Sequence, residues 1–327
     1  MNWAKKKVLV TGGSGFIGSH LVRRLVDLGA DVSVTVKYNS VIDNVRLVKL
    51  WDQLTTVEAD LRNFSSLAVL QQLRPQVIFH LAAYNHVGDS FAQFAEAISS
   101  NAEATTNLLE AYEGYERFVY TSTSEVYGFQ EIVPFREDST PFPLSPYAVG
   151  KYSGELYARL KHRSQGRPVA VIRPFNAYGP YQSARAIIPE LILRCLTGQE
   201  VATTLGEQTR DFNFVANLVD GFLAVASHDA AIGEVWNVGG GVETPIRTLV
   251  ETIHRLTGEK SVLKIGALPY RPGEIWRMHA DSTRARETLG WVPKVDLTQG
   301  LEITVEWFRR YLAEFGDPRS PLAGLAI

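Results

Sequence analysis

From its amino end the chain repeats one alternation: a short apolar run, a turn of glycine or small polar residues, then a stretch with apolar positions every three or four residues. The first run, Lys7-Val8-Leu9-Val10-Thr11, stops at glycines, and Ile17, Leu21, Leu25 and Leu28 then follow at helical spacing until Gly29. A strand, a glycine turn and a helix are predicted there. Further β-rich runs lie at 31–36, 56–61, 75–83, 117–120 and 169–174. Between them Phe91, Phe94, Ala95, Ile98, Ala102, Leu108 and Leu109 share one helical face, and Ser145-Pro146 opens a long helix to about Arg163. Strands alternating with helices predict an α/β fold built on a doubly wound parallel sheet.

Beyond residue 175 the elements become shorter and mixed. The pattern predicts helices at 187–197, 217–227 and 298–314, strands at 210–215 and 235–238, and a helix capped by Thr244-Pro245. Ile246, Leu249, Val250, Ile253 and Leu256 form the apolar stripe of that helix, and Leu301, Val305, Phe308 and Leu312 that of the last. Both stripes read as core.

The 327 residues are 45% hydrophobic, with a mean hydropathy of −0.05, as in soluble globular proteins. No apolar run approaches the roughly 20 residues that span a bilayer. The basic start is followed by an apolar stretch too short for a signal peptide, so a cytoplasmic location is expected. A net charge of −2, with 33 basic and 35 acidic residues interspersed, gives no field for nucleic acid. The single Cys195 excludes an internal disulfide and a thiolate metal cluster. The seven histidines show no metal-ligand spacing, and no metal is expected. His86 alone is a candidate contact.

Three stretches carry chemistry. Gly12, Gly15 and Gly18 lie between the first strand and its helix, where backbone N–H groups and the positive end of a helix can meet a pyrophosphate. This predicts a dinucleotide-binding (Rossmann) domain over 1–175. A smaller mixed α/β substrate domain over 176–315 should return some segments to the first sheet, and 316–327 should be a loose tail. Val36 stands where NAD-binding folds place a ribose-binding carboxylate, and Lys37, Asn39 and Ser40 follow. That arrangement favours NADP over NAD. Asp60, followed by Leu61, is a candidate acceptor for the adenine amino group, and Leu81-Ala82-Ala83 offers small residues against which a cofactor can lie.

The second stretch, Thr121-Ser122-Thr123-Ser124-Glu125-Val126-Tyr127-Gly128, follows a strand, where open α/β sheets bind ligands. In the third, Tyr147 and Lys151 stand four apart on one helical face, where an ammonium lowers the cost of ionising a phenol. Tyr157 and Lys161 repeat the spacing about 80° further round the helix, which predicts a surface pair.

With Thr11-Gly12-Gly13-Ser14-Gly15-Phe16-Ile17-Gly18, the Thr121–Gly128 stretch, Tyr147-x-x-x-Lys151 and Arg173-Pro174-Phe175-Asn176-Ala177-Tyr178-Gly179-Pro180 in this order, the chain resembles the extended short-chain dehydrogenase/reductase family. It looks most like the nucleotide-sugar epimerases and dehydratases, from Lys7 to about Leu312. The resemblance implies catalytic roles for Thr123, Tyr147 and Lys151, and cofactor contacts at Phe16 and Ile17 beside the glycines. Asn101 would support Lys151 through the backbone. Asn176, Arg210 and Arg271 would hold the substrate, with His86, Ser90, Arg185 and Pro189 further contacts. A homodimer through helices like 91–113 and 145–163 is implied as well.

Sugar 4,6-dehydratases of this family typically read Thr-Asp-Glu, whereas this chain has Thr123-Ser124-Glu125. That departure resembles the GDP-mannose 4,6-dehydratases, and other stretches look like GDP-N-acetylglucosamine 4,6-dehydratases. The resemblance therefore implies a nucleotide-diphosphate-sugar 4,6-dehydratase with a tightly bound NAD(P). Tyr147 would take the O4 proton, Glu125 the C5 proton, and Ser124 or a water would assist departure of O6. A 4-epimerase needs no base at 125 and is the alternative. UDP-glucuronate decarboxylation and non-catalytic dinucleotide sensing are further alternatives.

Overall fold

The computed structural model describes residues 1–37, 42–271 and 273–319, so Asn39 and Ser40 lie outside the described residues. The first half alternates as expected. Strand β1 (Lys7–Thr11) leads into α1 (Phe16–Asp27), followed by β2 (Asp31–Val36), β3 (Leu54–Glu58), α2 (Leu70–Leu73) and β4 (Val77–His80). Helices α3 (Phe94–Ile98) and α4 (Ala104–Ala111), then β5 (Arg117–Thr121), α5 (Pro146–Gln165) and β6 (Val169–Pro174), complete it. The second half contains β7 (Asn176–Tyr178), α6 (Ile187–Leu196), β8 (Val201–Thr203), β9 (Thr209–Phe214) and α7 (Val215–Ser227). It ends with β10 (Val235–Val238), β11 (Glu243–Pro245), α8 (Ile246–Leu256), β12 (Leu263–Ile265), α9 (Thr283–Leu289) and α10 (Leu297–Phe315).

Among the described residues, seven strands form a parallel sheet in the order β10-β6-β5-β4-β1-β2-β3. Its two faces explain the apolar runs. Val8 and Val10 of β1 pack with Leu21, Val22 and Leu25 of α1 and with Phe222 of α7, while Leu9 packs on the opposite face with Leu108 and Leu109 of α4 and Ala158 of α5. Covered on both sides, the inner strands β1, β4, β5 and β6 have no polar face to alternate with. The strand order reverses between β1 and β4, and the crevice beyond that reversal is where such sheets bind ligands.

The return of a late segment to this sheet is β10, whose Val235 pairs with Val171 of β6. The other late elements make smaller sheets, β11-β9-β7 and β12-β8, over a core of α6, α8 and α10 side chains that includes Cys195.

Several expectations change. The run at 75–83 supplies only β4, Val77–His80, which leaves Leu81-Ala82-Ala83 beyond the strand. The strand predicted at 56–61 occupies Leu54–Glu58, which leaves Asp60 and Leu61 in the following loop. The helix expected over 91–113 is interrupted by a π segment, Ser99–Glu103, between α3 and α4. Here α5 comes close: a Cβ at Gly150 would lie 2.9 Å from the Ala97 carbonyl, and one at Gly154 2.8 Å from that of Asn101. Thr244 does not cap α8; it lies in β11, opposite Arg210, and Pro245 occupies the cap position with no side-chain cap. Nor are Tyr157 and Lys161 a surface pair, because Lys161 is buried against Glu110, which also binds the Tyr157 hydroxyl. Among the described residues, no helix is long and apolar enough to cross a membrane, and no group of three or more His, Cys, Asp or Glu could hold a metal ion.

Candidate active site

The glycine turn is shaped for close backbone approach. Gly12 has φ +68°, and a Cβ there would sit 2.6 Å from the Ala82 amide nitrogen. A Cβ at Gly18 would enter the Gly12 carbonyl. Gly15 is the N-cap of α1 and supplies no side-chain cap, so the amides of the first turn, through Phe16 and Ile17, remain available to a ligand at the positive helix end. This cradle fits a dinucleotide diphosphate.

Side chains lock the floor beneath it. Thr11 Oγ1 accepts from the Ala82 amide at 3.2 Å and donates to His80 Nδ1 at 2.7 Å. The Thr105 hydroxyl donates to the Asn101 carbonyl at 2.6 Å, so at 3.0 Å from His80 Nε2 it can only accept. His80 is therefore the neutral Nε2–H tautomer, consistent with burial driving its pKa down to about 3, with Lys151 acting in the same direction. Leu81 and Ala82 are fixed on Thr11, with Ala83 following. The Asn101 side chain clamps the Tyr84 backbone at both its N–H (2.9 Å) and C=O (3.1 Å). Asn101 thus acts on the 81–84 loop directly.

At the far end of this trough, Lys37, Glu58, Asp60, Arg62 and Ser66 line a hollow of about 380 Å³. Asp60 is gripped by Arg62, with oxygens 2.7–3.2 Å from its side-chain nitrogens, which holds the carboxylate near pKa 2. Leu61 is buried, and its carbonyl accepts from Asn107.

The Thr121–Gly128 stretch leaves β5 and closes into a 3₁₀ turn, Ser124–Tyr127, capped by the Thr123 hydroxyl on the Glu125 amide at 3.2 Å. Tyr147 and Lys151 face it from the first turns of α5, which starts at Pro146 with Ser145 as its cap. Burial pushes the Tyr147 phenol up to about 12, against a hydrogen bond with Thr123 that lowers it; the Glu125 charge pushes further upward. In this structure burial outweighs any easing of ionisation by Lys151. Burial also drives the Lys151 ammonium down to about 7, opposed by the Glu155 carboxylate one turn on. Lys151 Nζ lies 4.8 Å from the centroid of the Tyr120 ring, and Tyr120 donates to the Lys151 carbonyl at 2.8 Å.

Glu125 is raised by desolvation, with Arg210 lowering it and Glu274 raising it. Arg210 is pinned at 2.7 Å both to Glu274 and to the Ile275 carbonyl. Arg271 is exposed, and its carbonyl accepts from the Glu274 amide. Met278 is fully buried between two expected site residues: Ser124 donates to its sulfur at 3.3 Å, and Asn176 Nδ2 lies at 3.6 Å. Arg185 pairs with Asp89 at 2.8 Å, joining the loop that carries His86 and Ser90, and Pro189 is buried in α6.

The structure thus brings Thr123, Ser124, Glu125, Tyr147, Lys151, Asn176 and Arg210 to one place, while Arg271 and Arg185 are exposed and His86 is half-buried at the margin. Sequence reasoning missed Met278 and Glu274, which no local pattern announces. It also missed Glu155, whose signal was present, since it follows Lys151 at the same four-residue spacing by which Lys151 follows Tyr147.

The described geometry has known counterparts. A family model described as GDP-mannose 4,6 dehydratase matches residues 9–304. A UDP-glucose 4-epimerase of Mycolicibacterium smegmatis is 36% identical over 313 residues, covering 93% of this chain and 98% of the relative. A dTDP-glucose 4,6-dehydratase of Streptomyces niveus is 34% identical and covers 96% of each chain. Among solved structures, a dTDP-glucose 4,6-dehydratase of Streptomyces venezuelae with NAD bound superposes with a TM-score of 0.83 at 31% identity, covering 94% of this chain and 98% of that one.

Proposed function

The chain belongs to the extended short-chain dehydrogenase/reductase family, in its nucleotide-sugar epimerase and dehydratase branch, and on that premise we propose that it is a nucleotide-diphosphate-sugar 4,6-dehydratase. The observation that carries this reading is Glu125: a carboxylate raised by burial, close enough to Tyr147 to perturb it. A base of raised pKa at that position is needed for proton abstraction from carbon and is superfluous for epimerisation.

A dinucleotide on the glycine cradle would supply the hydride acceptor at sugar C4 and return the hydride to C6. Tyr147 would take the O4 proton in its ionised form, which burial makes a minor one by holding the pKa near 12, with Thr123 hydrogen-bonded to the phenolate oxygen and the Lys151 ammonium offsetting its charge. The 4-ketone acidifies the C5 hydrogen, and Glu125 removes it. Because Ser124 gives its hydrogen to Met278, Glu125 is assigned the second transfer too: it hands the proton to O6, the C6–O6 bond breaks and water leaves. A solvent proton passed through Glu125 then completes C5. Asn176 and Arg210 orient the sugar and its diphosphate, and Arg271, Arg185 and His86 are proposed rim contacts; Ser90, which donates to the Val87 carbonyl, and Pro189 are both buried and lie behind that rim.

The missing carboxylate at Val36 and the presence of Lys37 favour NADP, which competition between NAD and NADP for the apoprotein tests. Exposed Phe91, Phe94, Ile98, Val149, Leu156 and Leu160 on the α3 and α5 side support a homodimer. A 4-epimerase is the second reading, favoured by the same Ser124–Met278 contact, since it leaves no second acid aimed at O6. Incubation with GDP-, UDP- and dTDP-hexoses followed by mass measurement decides. The expected product has lost one water; an isomer of unchanged mass would replace the dehydratase reading with the epimerase.

A further inference from the structure

Beneath the Thr121–Gly128 stretch lies an ion pair that none of the chemical steps uses. Glu155 and Arg173 have side chains 0% and 1% exposed and meet through two contacts, Arg173 Nη2 to Glu155 Oε1 at 2.5 Å and Arg173 Nε to Oε2 at 3.0 Å. Each partner holds one end of the stretch. Ser122 donates to Glu155 Oε2 at 2.7 Å, and Arg173 Nη1 donates to the Tyr127 hydroxyl at 2.8 Å while the guanidinium lies 4.8 Å from that ring's centroid. The Tyr127 hydroxyl donates in turn to Asn237 Oδ1 at 2.7 Å, and Asn237 Nδ2 donates to the Phe135 carbonyl at 2.9 Å. Ser122, Tyr127 and Asn237 are all buried.

The carriers of this network are the carriers of the site. Glu155 is on α5, one turn after Lys151 and two after Tyr147; Arg173 is the penultimate residue of β6, three residues before Asn176; Asn237 sits on β10. Thr123, Ser124 and Glu125 lie between the two anchored residues.

We propose that the Glu155–Arg173 pair is a positioning device that holds Thr123 and Glu125 in register with Tyr147 and Asn176, with Ser122 and Tyr127 as its two arms. Stability alone is a weak reason for such a pair. Desolvation offsets the attraction of a buried ion pair, and well-packed apolar replacements are often as stable or more so. What an apolar pair cannot supply is direction: a carboxylate fork that accepts from Ser122 and a guanidinium that donates to Tyr127 fix the loop in one rotational setting. Proton transfer to and from carbon depends steeply on such settings, a misplacement of about 1 Å costing on the order of 10²-fold.

The inference rests on the reading of Thr123 and Glu125 as site residues, and its test separates the two. Ser122→Ala and Tyr127→Phe each remove one arm, and the Glu155→Met, Arg173→Met double replacement removes the pair while keeping the volume apolar. For each, kcat and KM on the nucleotide-hexose that the parent turns over, amide hydrogen exchange across residues 121–128, and the thermal midpoint are measured. The single variants should lose about tenfold in kcat. Their KM should stay within about threefold. Exchange across the stretch should rise in both, and in a Thr123→Val background the kcat losses should largely vanish. The double variant should show the larger kcat loss without a matching fall in midpoint; if it does not fold, the single variants decide. Unchanged kcat and exchange in the folded variants would overturn the proposal. If the parent turns over no nucleotide-hexose, the functional reading fails and the exchange data alone judge this one, unchanged protection again overturning it.

Discussion

The two sides of the cleft are built by different means. The cofactor side is made of backbone: Gly12, Gly15 and Gly18 shape it, and a chain of neutral groups through Thr11, His80 and Thr105 holds it. The side proposed for the sugar is made of charged and polar side chains from distant segments, with Glu125, Arg210 and Glu274 acting on one another and Met278 joining Ser124 to Asn176. A backbone surface can bind what every relative needs, while a surface of exchangeable side chains can change the reaction. The reaction does differ among relatives, one being called a 4-epimerase and another a 4,6-dehydratase at nearly equal identity.

If the cofactor side is set by backbone, a single methyl-bearing side chain should break it. Gly12→Val places a β-branched residue at φ +68° against the Ala82 amide. Left-handed strain of about 1–3 kcal/mol adds to the overlap, so cofactor affinity by titration calorimetry should fall at least about 10²-fold. Unchanged affinity would show that the turn is not the cradle.

The sugar side should respond to charge instead. Burial lowers the Lys151 pKa to about 7 and the Glu155 carboxylate raises it. Removing that carboxylate in Glu155→Gln lets the pKa fall further, so the ammonium is lost at lower pH. The alkaline limb of kcat/KM should move toward lower pH, which a pH–rate profile reads; a shift the other way would contradict the assignment. The smallest effect is expected at Met278→Leu, which keeps volume and should cost under about 1.5 kcal/mol in chemical denaturation. It frees the Ser124 hydroxyl, so turnover should change only a few-fold if Glu125 alone moves the protons.

The same contrast explains what could be read from residues. The parallel sheet and glycine cradle were legible because contiguous residues specify them, as with Lys7–Thr11 followed by three glycines. Tyr147 and Lys151 were legible from one helix. Met278 and Glu274 were not, because their roles arise only when the 270–280 segment folds back over Asn176 and Arg210. The pairing of Lys161 with Glu110 was missed for the same reason, since α4 supplies the partner. Helix 91–113 was over-read: of its apolar stripe Phe91, Phe94 and Ile98 are exposed and only Leu108 and Leu109 are buried, and the close approach of Gly150 and Gly154 meets it at a π segment that hydrophobic spacing does not encode.

The central claim, that Glu125 moves a proton at sugar C5, is tested most directly by turnover in deuterated water. The parent should give a 4-keto-6-deoxy product carrying one solvent deuterium at C5, and Glu125→Gln should slow its formation by about 10² to 10⁴-fold while still binding cofactor. A product without deuterium at C5, or one formed at the parent's rate by Glu125→Gln, would contradict it.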